Sequence, residues 1–370
     1  MAPDRLRFIL VGGFLGAGKT TTLARLARHY TAQGLKVGLV TNDQADNLVD
    51  TTSLRSQGFP VEEVAGACFC CKFDDLIGQV GKLEANQRPD VVLAEPVGSC
   101  TDLVATVVQP LKDLYGGRFE VAPYAVLFKP SHGLKILEGG SGGGFSPKAA
   151  YIFRKQLEEA DAIVINRIDE LSPEDLARLQ ALLAEQFPGT PVLQMSALTG
   201  LGFDGLTALL DQQGAFGRKI LDIDYDVYAE GEAELGWLNA TFRVEADTPF
   251  DLDPLLLDTV TSLQTLLAGR DAEVAHLKVI ALTDSTFGVA NLVASGSEAE
   301  LSLPARARVA AFDLIVNARV AIDPAQLQRL VTETVGPVCA ARGATATLRT
   351  LQSFRPGRPM PTHRYAAAAH

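Results

Sequence analysis

The most constraining stretch of the chain lies near its start. There, Gly13-Phe-Leu-Gly-Ala-Gly18-Lys19-Thr20 follows an apolar run, Arg5 to Val11, and precedes a segment with helical spacing of Leu23, Leu26 and Ala27. Every defined position of G-x-x-x-x-G-K-[S/T] is met, in the strand, turn and helix order that this motif needs. Glycines at these places let backbone N–H groups turn inward around phosphate oxygens, and the start of the following helix adds its positive dipole end. Phosphate contacts are therefore assigned to Gly13, Gly16, Ala17, Gly18, Lys19, Thr20 and Thr21. Lys19 is expected to reach the β- and γ-phosphates as a catalytic cation, and the Thr20 hydroxyl to ligate Mg²⁺.

The rest of the first half repeats the alternation that such a loop requires. Short apolar runs at Lys36 to Thr41, Val91 to Ala94, Tyr124 to Phe128, Ala162 to Ile165 and Pro191 to Met195 are separated by helical stretches. This is the βαβ pattern of a doubly wound, mostly parallel sheet, an α/β fold of P-loop type. At 370 residues the chain exceeds the ~250–300 at which a single core stops growing, so a second domain is expected. After Gly214 to Arg218 the pattern changes to strand, helix, three strands, helix and strand. That order predicts a smaller α+β domain with helices on one face of an antiparallel sheet. The expected division is a nucleotide-binding domain over 1–217, an acidic linker over 218–234, the α+β domain over 235–355, and a Pro-rich, basic tail over 356–370 read as an extended strap. Glu138 to Pro147 is too glycine-rich for an element interior and reads as a surface loop.

Three further signals lie at strand ends. In Val92-Leu-Ala-Glu95-Pro-Val-Gly98, an acid and then a glycine follow an apolar strand; Glu95 is the expected catalytic and Mg²⁺-organising carboxylate, and the Gly98 N–H the expected γ-phosphate contact. Asp43, after the second strand, is a second candidate for Mg²⁺ or for polarising the attacking water. Asn166-Arg167-Ile168-Asp169 resembles the guanine-reading NKxD element. The Asp169 carboxylate can accept two hydrogen bonds from guanine, which adenine cannot offer, and each is worth about 1.5–3 kcal/mol. Arg167 replaces the usual Lys but keeps an aliphatic stem for the base, and Ser196-Ala197 is placed to back the guanine carbonyl.

Cys68-Phe-Cys70-Cys71 lies between the Asp43 loop and Glu95. Three thiolates make an incomplete tetrahedral set for Zn²⁺, Co²⁺ or Cu(I), the fourth position being open to water, to Glu62 or Glu63, or to a group from a client. Cys100 and Cys339 are isolated in sequence and are read as packing residues. A formal charge of −11 argues against a nucleic-acid binder. No run reaches the ~20 apolar residues of a membrane span, so a cytoplasmic protein with reduced thiols is expected.

Taken together, GFLGAGKTT, CFCC, EPVG and NRID resemble the CobW-type GTPases of the CobW/HypB/UreG group, which also contains nickel-enzyme maturation proteins. The resemblance implies a GTPase domain with a small C-terminal domain, GTP and Mg²⁺ on Gly13, Gly18, Lys19 and Thr20, and guanine read by Asn166 and Asp169. It also implies Zn²⁺ or Co²⁺ on Cys68, Cys70 and Cys71, and delivery of that metal to a client metalloprotein, with the oligomeric state open. Two departures stand out: Ala67 occupies a position where most relatives have Gly, and Asn42-Asp-Gln-Ala replaces an NEFG-like segment. Only five scattered His are present, which favours delivery or regulation over storage. The alternatives are a GTP-dependent regulatory or assembly factor for a metalloenzyme or cobalamin pathway, and a P-loop kinase using Asp43 as base.

Overall fold

A computed structural model describes residues 5–43, 49–139 and 146–369. Most of the glycine-rich segment expected as a loop, residues 140–145, lies outside them. The chain divides into two compact units, residues 1–231 with 358–370 and residues 232–357, so the second is inserted between two segments of the first.

In the first unit, β1 (Leu6–Gly13), α1 (Lys19–Ala32), β2 (Val37–Asp43), α2 (Val49–Ser56), β3 (Val61–Ala65), α3 (Phe73–Gln87) and β4 (Val91–Glu95) follow one another. A π-turn over Val104–Val108 leads into α4 (Gln109–Tyr115), then β5 (Phe119–Val121), β6 (Ala125–Phe128), α5 (Pro130–Leu137), α6 (Pro147–Glu159) and β7 (Ala162–Ile165). A 3₁₀ turn over Ile168–Glu170 precedes α7 (Pro173–Gln186), β8 (Val192–Gln194) and α8 (Phe203–Leu210). The expected linker contains a helix, α9 (Tyr225–Ala233).

The strands run β3-β2-β4-β1-β6-β7-β8, with β5 also beside β1, and every pairing is parallel. A parallel sheet carries helices on both faces, so its strands are buried on both sides and read as continuous apolar runs. Phe8 to Val11 and Val92 to Ala94 are accordingly inaccessible to solvent. One face packs Ile9, Val11, Leu39, Leu93 and Val164 against Leu23, Leu26 and Tyr30 of α1 and Leu206 and Leu210 of α8. Because all the strands point the same way, the loops after β1, β2, β3, β4, β7 and β8 emerge at one edge of the sheet. In open α/β sheets this carboxyl edge is where ligands bind.

The second unit comprises β9 (Gly236–Asp251), α10 (Leu252–Ala268), β10 (Val274–Leu282), β11 (Phe287–Leu292), β12 (Glu300–Leu303), β13 (Arg308–Val320), α11 (Pro324–Ala340) and β14 (Ala344–Phe354). Its sheet is antiparallel in the order β12-β11-β10-β13-β9-β14. Leu238, Ala240, Phe242 and Val244 alternate inward on β9, as do Phe312, Leu314, Val316 and Ala318 on β13. They meet Leu255, Leu256, Val260 and Leu263 of α10 and Leu327, Leu330, Val331 and Val335 of α11. The expected α+β layering is what the period-2 and period-3.6 patterns dictate. The short edge strand β12 was absent from the sequence reading, since four residues carry too little alternation to register.

Candidate functional site

The loop between β1 and α1 is shaped by its glycines. Gly18 sits at φ +86°, and a Cβ there would stand 2.4 Å from Asn166 Nδ2, so both conformation and space require glycine. Helix α1 starts at Lys19. The Lys19 ammonium is buried and donates to the carbonyls of Gly13 (2.9 Å) and Phe14 (3.4 Å), which holds it inside the loop it is expected to serve. The Thr20 hydroxyl donates to Glu95 Oε1 at 2.9 Å, joining the loop to the end of β4, where Glu95 is buried. Thr21 is solvent-exposed and Thr22 turns back to Gly18 O at 2.9 Å. Gly98 lies against the same loop: a Cβ on it would come within 3.1 Å of Leu15 N. Glu95, Gly98, Lys19 and Thr20 are thus brought together; the side chain of Asp43 lies outside the described residues.

Asn166 is the fastener on the other side. Buried at the end of β7, it donates from Nδ2 to Ala17 O (2.8 Å) and accepts the Ala197 N–H on Oδ1 (2.9 Å). One side chain therefore ties Gly16-Ala17-Gly18 to the Ser196-Ala197 turn. Arg25 of α1 tightens the same turn, donating to Ala197 O and Leu198 O at 2.8 Å each, while Ser196 Oγ accepts the Thr199 N–H at 3.1 Å. Arg167 takes a left-handed conformation (φ +63°) and pairs with Glu170, leaving Asp169 exposed on the 3₁₀ turn with a carboxylate that can accept from a ligand.

The cysteines form the second centre. The sulfurs of Cys68, Cys70 and Cys71 lie within 4.8 Å of one another, at 2.8 Å (Cys68 to Cys70), 3.3 Å (Cys68 to Cys71) and 3.7 Å (Cys70 to Cys71). The Cys71 and Lys72 N–H groups both return to Cys68 O at 3.0 Å, a turn that brings the three side chains to one side immediately before α3. Asn42, at the end of β2, holds this turn in place. Its Nδ2 donates to Val64 O (2.8 Å) and Ala67 O (2.7 Å), and its Oδ1 accepts the Phe69 N–H (2.8 Å). No local pattern marks Asn42 for this role, because its partners lie on β3 and in the turn that follows it.

Cys100 and the two carboxylates of β3 stand differently toward this cluster. Cys100 is not an isolated packing residue: its fully buried thiol is a hydrogen-bond neighbour of Cys68 and Cys70, although it stands outside the trio whose sulfurs all lie within 4.8 Å of one another. Glu62 and Glu63 lie on β3, outside the group of potential metal ligands among the described residues. Hydrogen bonds from Cys100, Cys70 and Cys71 hold Cys68 well below the ordinary thiol range. Contacts with the same neighbours keep Cys70 in its thiol form, and Cys71 is pushed up to about 11, first by its bond to Cys68. Three neighbouring sulfurs make a soft donor set. Cys339, by contrast, packs into the core of the second unit.

The tail returns over this cluster. The Met360 N–H donates to Cys71 Sγ at 3.2 Å, the Thr362 N–H to Cys70 O at 2.8 Å and the Thr362 hydroxyl to Cys71 O at 3.1 Å. His363 sets its ring edge-on to Phe73, 5.2 Å between centroids. Arg364 Nε donates to Asp102 Oδ2 at 2.7 Å, and the Tyr225 hydroxyl donates to the same oxygen at 2.8 Å. Burial pushes the Asp102 carboxyl up, and those two hydrogen bonds oppose the push. The extended composition of the tail was legible; its docking site was not, since no local pattern encodes it.

Among the described residues no helix is long and apolar enough to cross a membrane. The family profile described as CobW/HypB/UreG, nucleotide-binding domain, matches residues 7–194, just over half of the chain. Zinc chaperone YeiR of Escherichia coli K12 is 31% identical over 179 residues, 46% of this chain and 49% of that protein, so the match spans about half of the relative's length. Zinc chaperone CobW of Pseudomonas aeruginosa is 26% identical over 215 residues, 50% of this chain and 54% of its own. Among solved structures, HypB from Helicobacter pylori in complex with nickel is 19% identical, covering 56% of this chain and 86% of that one at a TM-score of 0.40. With its phosphate loop, Asn166 fastener and cysteine turn at one edge of a parallel sheet, the chain belongs to the CobW/HypB/UreG family.

Proposed function

We propose that this chain is a GTP-hydrolysing metallochaperone, in which the nucleotide state governs the binding of a thiophilic divalent metal and its delivery to a client metalloprotein. The observation that carries the reading is the gathering of three sulfurs within 4.8 Å in the unit that also pairs Thr20 with Glu95 at a phosphate loop.

For the nucleotide, the loop amides from Gly13 to Thr20 receive the phosphates, and the Lys19 ammonium exchanges its carbonyl partners for β- and γ-phosphate oxygens. The Thr20 hydroxyl and the Glu95 carboxylate are hard oxygen donors 2.9 Å apart, which fits Mg²⁺. They would hold that ion, and when bound it offsets the charge on the phosphates. Gly98, against the loop, turns its N–H to the γ-phosphate, and Asp43, closing β2, is the residue proposed to polarise the attacking water. Asp169 selects guanine, with Asn166 fixing the turn at Ser196-Ala197 that backs the base.

The cargo is held by Cys68, Cys70 and Cys71. Soft thiolates favour Zn²⁺ or Co²⁺ over hard cations, and the description of YeiR and CobW as zinc chaperones supports Zn²⁺ first. Cys68 and Cys70 are buried while Cys71 is partly exposed, so Cys71 is the side from which a client takes the metal.

Lys19→Ala is expected to lower GTP turnover at least about 100-fold, the scale of losing one preorganised charge-stabilising donor; unchanged turnover contradicts the phosphate assignment. Asp169→Asn is expected to reduce the preference for GTP over ATP by about tenfold and to improve binding of xanthosine triphosphate. An unaltered base preference in competition assays rejects the guanine reading. Metal analysis of the purified protein is expected to give about one Zn²⁺ per chain, lost when Cys68, Cys70 and Cys71 are together changed to Ser; equal metal content in that variant removes the cargo site.

A further inference from the structure

We propose that Cys100 is a fourth sulfur ligand of the cargo metal, mounted on the loop that senses the nucleotide, so that the phosphate site controls whether the metal is held by four thiolates or three. The inference rests on the metal-binding reading above and assigns to this chain a ligand that the Cys-x-Cys-Cys pattern does not contain.

The geometry comes from the order of strands. β2 lies between β3 and β4, so the cysteine turn after β3 and the loop after β4 flank the end of β2, where Asn42 holds the turn. The loop Glu95-Pro-Val-Gly-Ser-Cys100 spans this gap and delivers the Cys100 thiol against Cys68 and Cys70. It is braced along its length. The Cys100 N–H returns to Val97 O at 3.0 Å, and the buried Gln156 side chain donates to both Gly98 O (3.1 Å) and Cys100 O (2.8 Å). At one end of this piece Glu95 accepts from Thr20, and in its middle Gly98 touches the backbone of the phosphate loop. Through these contacts a shift imposed by the phosphates on Glu95 or Gly98 would reach the sulfur.

The strap closes the arrangement from outside. Thr362 is bonded to Cys70 and Cys71, while Arg364 is bonded to Asp102, just beyond Cys100. The same short segment thus clamps the turn and the loop together.

Four sulfurs around a tetrahedral Zn²⁺ at about 2.3 Å stand about 3.8 Å apart. Cys70 and Cys71 are already 3.7 Å apart, so a cation has to spread the two closer pairs and draw Cys100 in beside Cys71. Binding displaces the thiol protons to solvent, the metal taking their place on sulfur. With all four engaged the site is closed, as structural zinc sites are; with Cys100 withdrawn, three thiolates and an open position remain, the arrangement from which a client ligand can enter.

The test uses the full chain with Co²⁺ alone as the spectroscopic probe. Relative to wild type, Cys100→Ala is expected to lose about one quarter of the thiolate-to-cobalt charge-transfer absorption, in proportion to ligand count. Its Zn²⁺ affinity, measured by chelator competition, is expected to fall at least about tenfold, since even partners one shell further out are worth 10–100-fold. Cys339→Ala is the control for loss of a buried thiol and is expected to match wild type. Unchanged absorption and affinity in Cys100→Ala overturn the proposal while leaving the three-cysteine site standing. If Cys100→Ala does not fold, X-ray absorption at the zinc edge of the wild-type protein, recorded once with a non-hydrolysable GTP analogue and once with GDP, decides: four sulfur neighbours in one of the two states support the proposal, and three sulfurs with one lighter atom in both overturn it. A wild-type chain that takes up neither Co²⁺ nor Zn²⁺ overturns this inference and the metal-binding reading together.

Discussion

The parallel direction of the first sheet is the constraint on which the rest of the site depends. With β3, β2, β4, β1, β6, β7 and β8 aligned, each strand delivers the residue that follows it to the same edge. The cysteine turn, Asn42, Glu95, the phosphate loop, Asn166 and Ser196 consequently meet along one line. Reversing any one strand would send its loop to the opposite side. Apolar strands, of which β4, β6 and β7 are buried along their whole length, supply the driving force, at roughly 25 cal/mol per Å² of apolar surface removed from water, and the polar residues at the strand ends only have to choose partners.

That choice is made by a few buried amides and carboxylates. Asn166 joins the phosphate loop to the Ser196 turn, Asn42 joins β2 to the cysteine turn, and Gln156 joins Gly98 to Cys100. A buried amide left without partners is costly, so each of these side chains favours one arrangement of the loops it bridges. Thr20 with Glu95 joins the phosphate loop to the loop bearing Cys100 through groups suited to a cation. In a site assembled from such bridges the loops are joined by bonds between side chain and backbone as well as by apolar packing.

Much of this was legible in the sequence for local reasons. Gly13 to Thr20 and Asn166 to Asp169 are contiguous motifs whose spacing is set by a single loop, and the doubly buried strands announce themselves as apolar runs. The layers of the second unit follow from alternation in β9 and β13 and helical spacing in α10 and α11. What remained hidden depended on which strands become neighbours. Cys100 read as isolated because the proximity of β3, β2 and β4 is a property of the sheet order. The docking of Thr362 and Arg364 beside the cysteines was hidden for the same reason, since the tail returns to the first unit only after the chain has completed the second.

Nucleotide and metal are proposed to act on one linked structure, and linkage makes that coupling measurable. Titration of Zn²⁺ into the full chain with Mg²⁺ and a non-hydrolysable GTP analogue, and again with GDP, is expected to give affinities that differ by about 5- to 150-fold, with the metal altering the relative affinity for the two nucleotides by the same factor. Identical zinc affinities in the two nucleotide states would contradict the account.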